Sequence, residues 1–231
     1  MMKTLVIIPA YNEEQSIERV VDNLIENYPQ YDYVVINDGS SDQTAKVCRK
    51  RGYNLIDLPV NLGLSGAFQA GLKYAYLQGY ERAIQFDGDG QHRPEYIERI
   101  ENKIEEGYDV VIGSRFVDQK KPFSARMMGS YLISLAMRLT TGKKIKDPTS
   151  GMRMFSQKLI KEFALNLNYG PEPDTISYLI KHGAKVAEVQ VEMDERLEGE
   201  SYLNLYRSIS YMLRMGISIL LIQFFRKRKK A

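Results

Sequence analysis

Apolar residues in the first half of the chain follow two alternating rhythms. Short β-branched runs at Thr4 to Ile8, Tyr33 to Asn37, Asn54 to Leu58, Arg82 to Phe86 and Asp109 to Ile112 have the length and composition of strands. Between them the apolar spacing switches to that of a helix. Ile17, Val20, Val21, Leu24 and Ile25 make one stripe, and Leu64, Ala67, Phe68, Gly71, Leu72 and Ala75 make a second. Ile97, Ile100 and Ile104 make a third, which follows Pro94 and ends at Gly107. Asn12 with Gln15 predicts a capping pair ahead of the first stripe. Strands alternating with helices predict an α/β fold, a Rossmann-like and mostly parallel sheet flanked by helices.

After Phe116 the alternation stops. A polar loop containing Lys120, Lys121 and Pro122 leads into a helix expected from Ser124 to Thr141. Met127, Met128, Leu132, Ile133, Leu135, Met137 and Leu139 make it apolar around most of its circumference, which fits either a buried helix or one lying on a membrane. A last helix is expected from Ser201 to Phe225, with Leu205, Ile209, Met212, Leu213, Ile217, Leu220 and Phe224 on one face. Its uncharged part, Met215 to Phe225, has 11 residues. That spans roughly 16 Å at about 1.5 Å per residue, against a hydrocarbon core of roughly 30 Å, so it cannot cross a membrane alone. The predicted organisation is an α/β domain over residues 1–200 and an amphipathic helix with a basic tail over 201–231.

Charge sharpens this picture. The net charge is +3, and the terminal run Arg226, Lys227, Arg228, Lys229 and Lys230 exceeds it, so the rest of the chain is slightly acidic. An apolar helix leading directly into basic residues suits a peripheral anchor on anionic lipid. A small transmembrane partner protein or a second copy of the chain would cover the same surface. Nucleic acid is not expected as a partner, because the basic charge is confined to the tail. The single cysteine, Cys48, cannot form an internal disulfide and fits a reducing compartment. No signal peptide is readable, since the run Thr4 to Ile8 stops at Pro9.

Candidate chemistry collects where the strands end, which is where open parallel sheets bind ligands. Pro9-Ala10-Tyr11-Asn12-Glu13-Glu14 follows the first strand, Asn37-Asp38-Gly39-Ser40-Ser41-Asp42 the second, and Asp87-Gly88-Asp89-Gly90-Gln91-His92 the fourth. Carboxylates gathered at one edge repel each other unless a cation joins them. Asp87 and Asp89 flank a glycine and can reach one centre, with Gln91 a further oxygen ligand. Oxygen donors with open positions suit Mg²⁺ or Mn²⁺, whose remaining positions take water and phosphate. An isolated Asp-Gly-Asp also reads as an ordinary turn. Neither His92 nor His182 has a partner at metal-ligand spacing, so zinc is not expected. Asn61-Leu62-Gly63-Leu64-Ser65-Gly66-Ala67 is neither a Walker A sequence nor a dinucleotide fingerprint. No serine-centred nucleophile elbow occurs.

In this order, the three acidic turns with Asn61-Leu62-Gly63 and Gly113-Ser114-Arg115 resemble the motifs of inverting family 2 glycosyltransferases of GT-A fold. Asp147-Pro148-Thr149-Ser150-Gly151-Met152-Arg153 and Arg196 with Gly199-Glu200-Ser201 resemble specifically the dolichyl and polyprenyl phosphate sugar synthases, bacterial undecaprenyl phosphate enzymes among them. The resemblance covers roughly residues 4 to 204. One departure is Asn37, where the family often has aspartate. The resemblance implies that Pro9, Tyr11, Glu13 and Asp38 hold the nucleoside and that Arg196 clamps the donor diphosphate. It places metal on Asp87, Asp89 and Gln91, the acceptor phosphate on Arg115, and Asp147 near the acceptor as an orienting group or weak base. Glu172, between Pro171 and Pro173, could touch the sugar. The implied reaction passes a hexose or N-acetylhexosamine from a nucleotide diphosphate sugar, UDP-GlcNAc or UDP-glucose first, to polyprenyl phosphate at the cytoplasmic face of the plasma membrane, for envelope glycans. The alternatives are a GDP-mannose donor, a hydroxyl acceptor on a soluble glycan, and a nucleotide-sugar-binding scaffold without turnover.

Overall fold

The structure is a computed structural model and describes residues 3–122, 124–166, 170, 172–194 and 205–222. The strands are β1 (Thr4–Ala10), β2 (Asp32–Asn37), β3 (Leu55–Asp57), β4 (Arg82–Gln85), β5 (Val110–Ser114), β6 (Arg153–Ser156) and β7 (Val186–Gln190). They form one sheet in the order β3-β2-β1-β4-β6-β5-β7. All pairings are parallel except those of β6, which runs antiparallel to both β4 and β5. The helices are α1 (Ile17–Asn27), α2 (Thr44–Arg51), α3 (Gly63–Leu77), α4 (Ile97–Glu105), α5 (Ala125–Thr141), α6 (Gln157–Leu165), α7 (Pro173–Lys181) and α8 (Leu205–Ile217). A π-helical turn, Ser218–Ile222, continues α8.

The expected α/β architecture is therefore present, with two strands beyond the expected set. β6 is four residues long and passes straight into α6, too short for a period to show. β7 sits at the sheet edge, half-buried over most of its length. The reversal of β6 matters for function. Its register pairs Arg153 with Ile112 on β5, so it starts at the edge where the parallel strands end. The Asp147–Met152 segment is delivered there with it.

Successive side chains on a strand face opposite ways, and both faces of this sheet are buried. Leu5, Ile7, Val34, Ile36 and Phe155 join Phe68 of α3, Ile133 of α5, Phe163 of α6, Ile176 of α7 and Met215 of α8 in one layer. Val6, Ile8, Val35 and Met154 join Ile17 of α1, Cys48 of α2 and Ile97 of α4 in the other. Each such fully buried side chain contributes about 1.5–3 kcal/mol. A Cβ on Gly71 would run into the Ile7 side chain, so glycine sets how closely α3 lies on β1.

Several local expectations change. Asn12 does not cap α1: its φ is +56° and its Oδ1 accepts from the Ser41 N–H, while Ser16 stands at the helix start. Ile25 and Leu64 leave the core and are exposed. Helix α5 is not a buried helix, because Met127, Ile133, Ala136 and Met137 face inward while Met128, Tyr131, Leu132, Leu135 and Leu139 are exposed. On α8 and the turn that continues it the expected apolar face divides: Leu213, Ile217 and Leu220 are exposed, Met212 packs inward against α5, and a further pair, Met215 and Ile219, is buried in the core. Ser201 to Asn204 and Gln223 to Ala231, with the basic run, lie outside the described residues.

Candidate active site

The first two acidic turns are laced together by hydrogen bonds. The Asn12 N–H donates to Ser40 Oγ at 3.0 Å, the Glu13 N–H to Thr44 Oγ1 at 2.9 Å and the Glu14 N–H to Asp42 Oδ2 at 3.1 Å. Asp38, 2% exposed, reaches the loop after β3 by accepting the Leu62 N–H on Oδ1 at 2.7 Å. A cavity of about 530 Å³ opens on this edge, lined in part by Pro9, Tyr11, Glu13, Asp38, Asp87 and Asp89. Asn37 does not line it. Its amide donates to Asp57 Oδ1 at 2.6 Å, a contact that an aspartate at this position would turn into repulsion.

Asp87 and Asp89 both face the cavity. Gln85 Nε2 donates to Asp87 Oδ1 at 2.9 Å, and the Asp87 N–H donates to His92 Nδ1 at 2.9 Å. That contact makes Nδ1 of His92 an acceptor, so the ring braces the turn. Gly151 lies against the Asp87 carboxylate so closely that a Cβ there would collide with it. Among the described residues no three His, Cys, Asp or Glu side chains converge as a metal cluster. Two carboxylates on one turn fit a hard cation that takes its other ligands from water and a diphosphate. Gln91 stands apart from the cavity lining, with its amide on the Asp194 carbonyl at 3.3 Å.

Arg115 and Asp147 come together, outside the cavity lining. The guanidinium grips the carboxylate in a fork, Nε to Oδ2 at 2.7 Å and Nη2 to Oδ1 at 2.9 Å, and the Arg115 N–H adds a bond to Oδ2 at 3.2 Å. Asp147 is 0% exposed, and its own N–H donates to Glu188 on β7 at 2.7 Å. With Thr149 Oγ1 also donating to it, the carboxylate is filled by protein donors. Beside this pair stands a cation that the sequence does not single out. Lys121 Nζ donates to Ser130 Oγ at 2.9 Å, and Ser130 and Thr149 line the cavity. The ammonium lies 5.4 Å from the Phe116 ring centroid and 4.9 Å from that of Tyr131, an aromatic cradle suited to a cation. Burial pushes its pKa below the ordinary lysine value. Only the doublet Lys120-Lys121 between two aromatic positions, Phe116 and Tyr131, hints at it.

The far wall comes from the C-terminal half and the start of α3. Ser65, Glu172, Tyr211 and buried Arg153 line it, and Glu172 accepts from Ser65 Oγ at 3.1 Å and from Tyr211 Oη at 2.6 Å. Tyr211 belongs to α8, which the sequence pattern assigns to the membrane anchor and keeps apart from the site. Arg196 and the Gly199-Glu200-Ser201 segment lie outside the described residues.

The profile of glycosyl transferase family 2 matches residues 5–164, from β1 into α6, a stretch that carries all three acidic turns. The chain belongs to that family. It is 34% identical over 195 residues to an uncharacterised protein of Methanocaldococcus jannaschii, covering 81% of this chain and 79% of that one. It is 29% identical over 215 residues to an undecaprenyl-phosphate mannosyltransferase of Micrococcus luteus, covering 88% of each chain. Among solved structures, glucosyl-3-phosphoglycerate synthase from Mycobacterium tuberculosis, in complex with Mn²⁺, UDP and phosphoglyceric acid, superposes with a TM-score of 0.70 at 21% identity. That match covers 96% of this chain and 78% of the other, and it establishes the GT-A fold. The protein is a glycosyltransferase.

Proposed function

We propose that this glycosyltransferase moves a hexose or N-acetylhexosamine from a nucleoside diphosphate to a polyprenyl phosphate, with inversion at the anomeric carbon. The observation that carries the reading is one cavity that runs from the Asp87 and Asp89 pair to Thr149 and to Ser130, to which Lys121 donates, beside the exposed apolar face of α5. The relatives' names support the lipid phosphate acceptor. They also divide over the sugar, with a mannosyltransferase in Micrococcus luteus and a UDP-N-acetylglucosamine–dolichyl-phosphate N-acetylglucosaminyltransferase in Methanococcus voltae, the latter 34% identical over 177 residues. UDP-N-acetylglucosamine and UDP-glucose lead as donors, with GDP-mannose the alternative.

Pro9, Tyr11, Glu13 and Asp38 surround the nucleoside in this reading, and Arg196 joins them at the diphosphate. Asp87 and Asp89 would hold Mg²⁺ or Mn²⁺, which would neutralise the diphosphate as it leaves, and Gln91 would join them as a third ligand only by turning from Asp194. A phosphate monoester is already a nucleophile and needs no general base, so holding it in line dominates the rate. Lys121, with the hydroxyls of Ser130 and Thr149, meets this phosphate. Arg115, committed to Asp147, supports the wall instead. A phosphate oxygen bonds to the anomeric carbon as the bond to the diphosphate oxygen breaks, and the nucleoside diphosphate departs.

Attachment is peripheral, at the cytoplasmic face of the plasma membrane. Among the described residues no helix is long and apolar enough to cross a membrane. The outward residues of α5 and α8, with the basic run that follows in the sequence, suit an interfacial position. A small transmembrane partner or a second copy of the chain is the other candidate cover.

The test is a donor panel. The full-length protein with Mn²⁺ or Mg²⁺ and a short polyprenyl phosphate should yield a lipid-linked sugar phosphate from UDP-N-acetylglucosamine, UDP-glucose or GDP-mannose. Transfer only to sugar hydroxyls, or no donor consumption at all, would overturn the reading.

A further inference from the structure

Arg153 is 5% exposed and faces the cavity, yet its Nε has no hydrogen-bond partner among the described residues. Its Nη2 donates to the Pro148 carbonyl at 2.6 Å, and it lies within electrostatic reach of Glu172, Asp147 and Asp87. A buried donor left unmatched is unfavourable, and a ligand that accepts from it relieves the deficit. Beside it Glu172 is held by donors on both oxygens, Ser65 Oγ and Tyr211 Oη, with further lone pairs on each oxygen. This corner therefore offers a fixed carboxylate acceptor, a guanidinium donor and a serine hydroxyl within one cavity. That complement matches neighbouring sugar hydroxyls, each of which both donates and accepts.

The aim of Glu172 depends on the last helix. Tyr211 reaches it from α8, where Met212 packs so tightly over Gly129 of α5 that a Cβ there would collide with it. Further along, Ser218 Oγ of the π-helical turn donates to buried Asp174 Oδ2 at 2.5 Å, so α8 and the turn that continues it are clipped by two hydroxyls to the two carboxylates that open α7. Burial and the adjacent Glu172 push the Tyr211 pKa far above the ordinary phenol value, so it stays a donor.

We infer that Glu172, Arg153 and Ser65 form the subsite that reads the hydroxyls of the transferred sugar, and that Tyr211 is a positioning residue making sugar selection depend on the seating of α8. This rests on the nucleotide-sugar reading of the cavity. Selection then acts on the donor's sugar and leaves nucleoside and diphosphate binding untouched.

The test compares wild type, Glu172→Gln, Tyr211→Phe and Tyr211→Leu in the full-length protein. Two quantities are measured: donor KM, for the preferred nucleotide sugar and for analogues deoxygenated at single ring positions, and the Kd of the matching nucleoside diphosphate with Mn²⁺. The expected result is about a tenfold rise in donor KM for Glu172→Gln and Tyr211→Phe, a Kd within about twofold of wild type, and no further loss in Glu172→Gln for the deoxy analogue that wild type itself disfavours. Tyr211→Leu should lose selectivity among donors more fully than Tyr211→Phe. An unchanged donor KM, or a KM and Kd that rise together, overturns the subsite. Failure of the wild type to bind either nucleoside diphosphate would instead overturn the nucleotide-sugar reading itself.

Discussion

The two walls of the cavity are made in different ways. On the strand-end wall, turns of a few residues carry their own chemistry: Asn12, Asp42, Thr44 and Asp38 bind the neighbouring backbone, and the acids that face the cavity sit within the same short segments. On the helical wall, polar groups come from positions far apart in the chain, such as Ser65 with Glu172 and Glu172 with Tyr211, and the helices behind them are apolar on both sides. The first wall suits a constant ligand, a nucleoside diphosphate gripped by fixed dipoles. The second suits a sugar and a lipid, which vary among family members, because repacking helices changes a wall without disturbing a sheet.

The largest expected effect breaks the strand-end wall. Asp89→Ala should lower transfer by roughly 10³-fold or more, since a metal-bound diphosphate represents several kcal/mol of charge stabilisation. Its melting temperature should stay close to that of wild type, because Asp89 faces the cavity rather than the core. Metal-dependent transfer retained by this variant would remove the basis for placing the cation there.

Next comes the pair behind the acceptor end, in which Asp147 is buried and Arg115 is partly exposed. Removing Arg115 leaves Asp147, 0% exposed, without its fork. Arg115→Ala should cost about 3–5 kcal/mol of stability in urea unfolding, and Arg115→Met combined with Asp147→Asn should recover part of it. Were Arg115 instead a substrate ligand, the single change would raise acceptor KM with little loss of stability.

These contrasts also explain what was legible in the sequence. Asp87, Asp89, Asp38 and Tyr11 could be read because each follows a strand closely, and the end of a parallel strand fixes a location. Strand β6 was not legible: four residues carry no usable period, and its reversal, which brings Arg153 and the Asp147 segment to the edge, depends on pairing with β4 and β5. Lys121 looks like one of two solvated loop lysines, since nothing local places Tyr131 and Phe116 around it. Helix α8 misleads for another reason. A helix apolar on two faces has no single stripe, so the outward Leu213 and Ile217 are read together with the inward Met212, and the inward Met215 and Ile219 are missed.

That double face gives a prediction of intermediate size. Leu132→Asp combined with Leu213→Asp places charge on exposed positions of α5 and α8. Stability should change by no more than about 0.5 kcal/mol, whereas sedimentation with anionic vesicles should fall by roughly tenfold or more as apolar burial is lost. Met215→Asp should do the reverse, unfolding the protein before any membrane is present, because this side chain is 7% exposed and packs in the core.

The smallest expected effect lies at the lysine between the walls. Lys121→Met should raise acceptor KM about tenfold by removing one charge-assisted contact to the phosphate, with donor KM unchanged. Its pH dependence carries the sharper test. Burial lowers the lysine pKa from its ordinary 10.5, so the proton is lost at a lower pH than from a surface lysine. Acceptor binding should therefore weaken as pH rises through that lowered value. The same shift means that the folded state disfavours the ammonium, so this group's unfavourable contribution to stability is present below the lowered pKa and fades as pH rises toward 10.5. Lys121→Arg keeps its charge across the whole range and should flatten the alkaline limb of acceptor KM. If that limb is unchanged in Lys121→Arg, the phosphate meets another cation, and the acceptor end of the cavity must be reassigned.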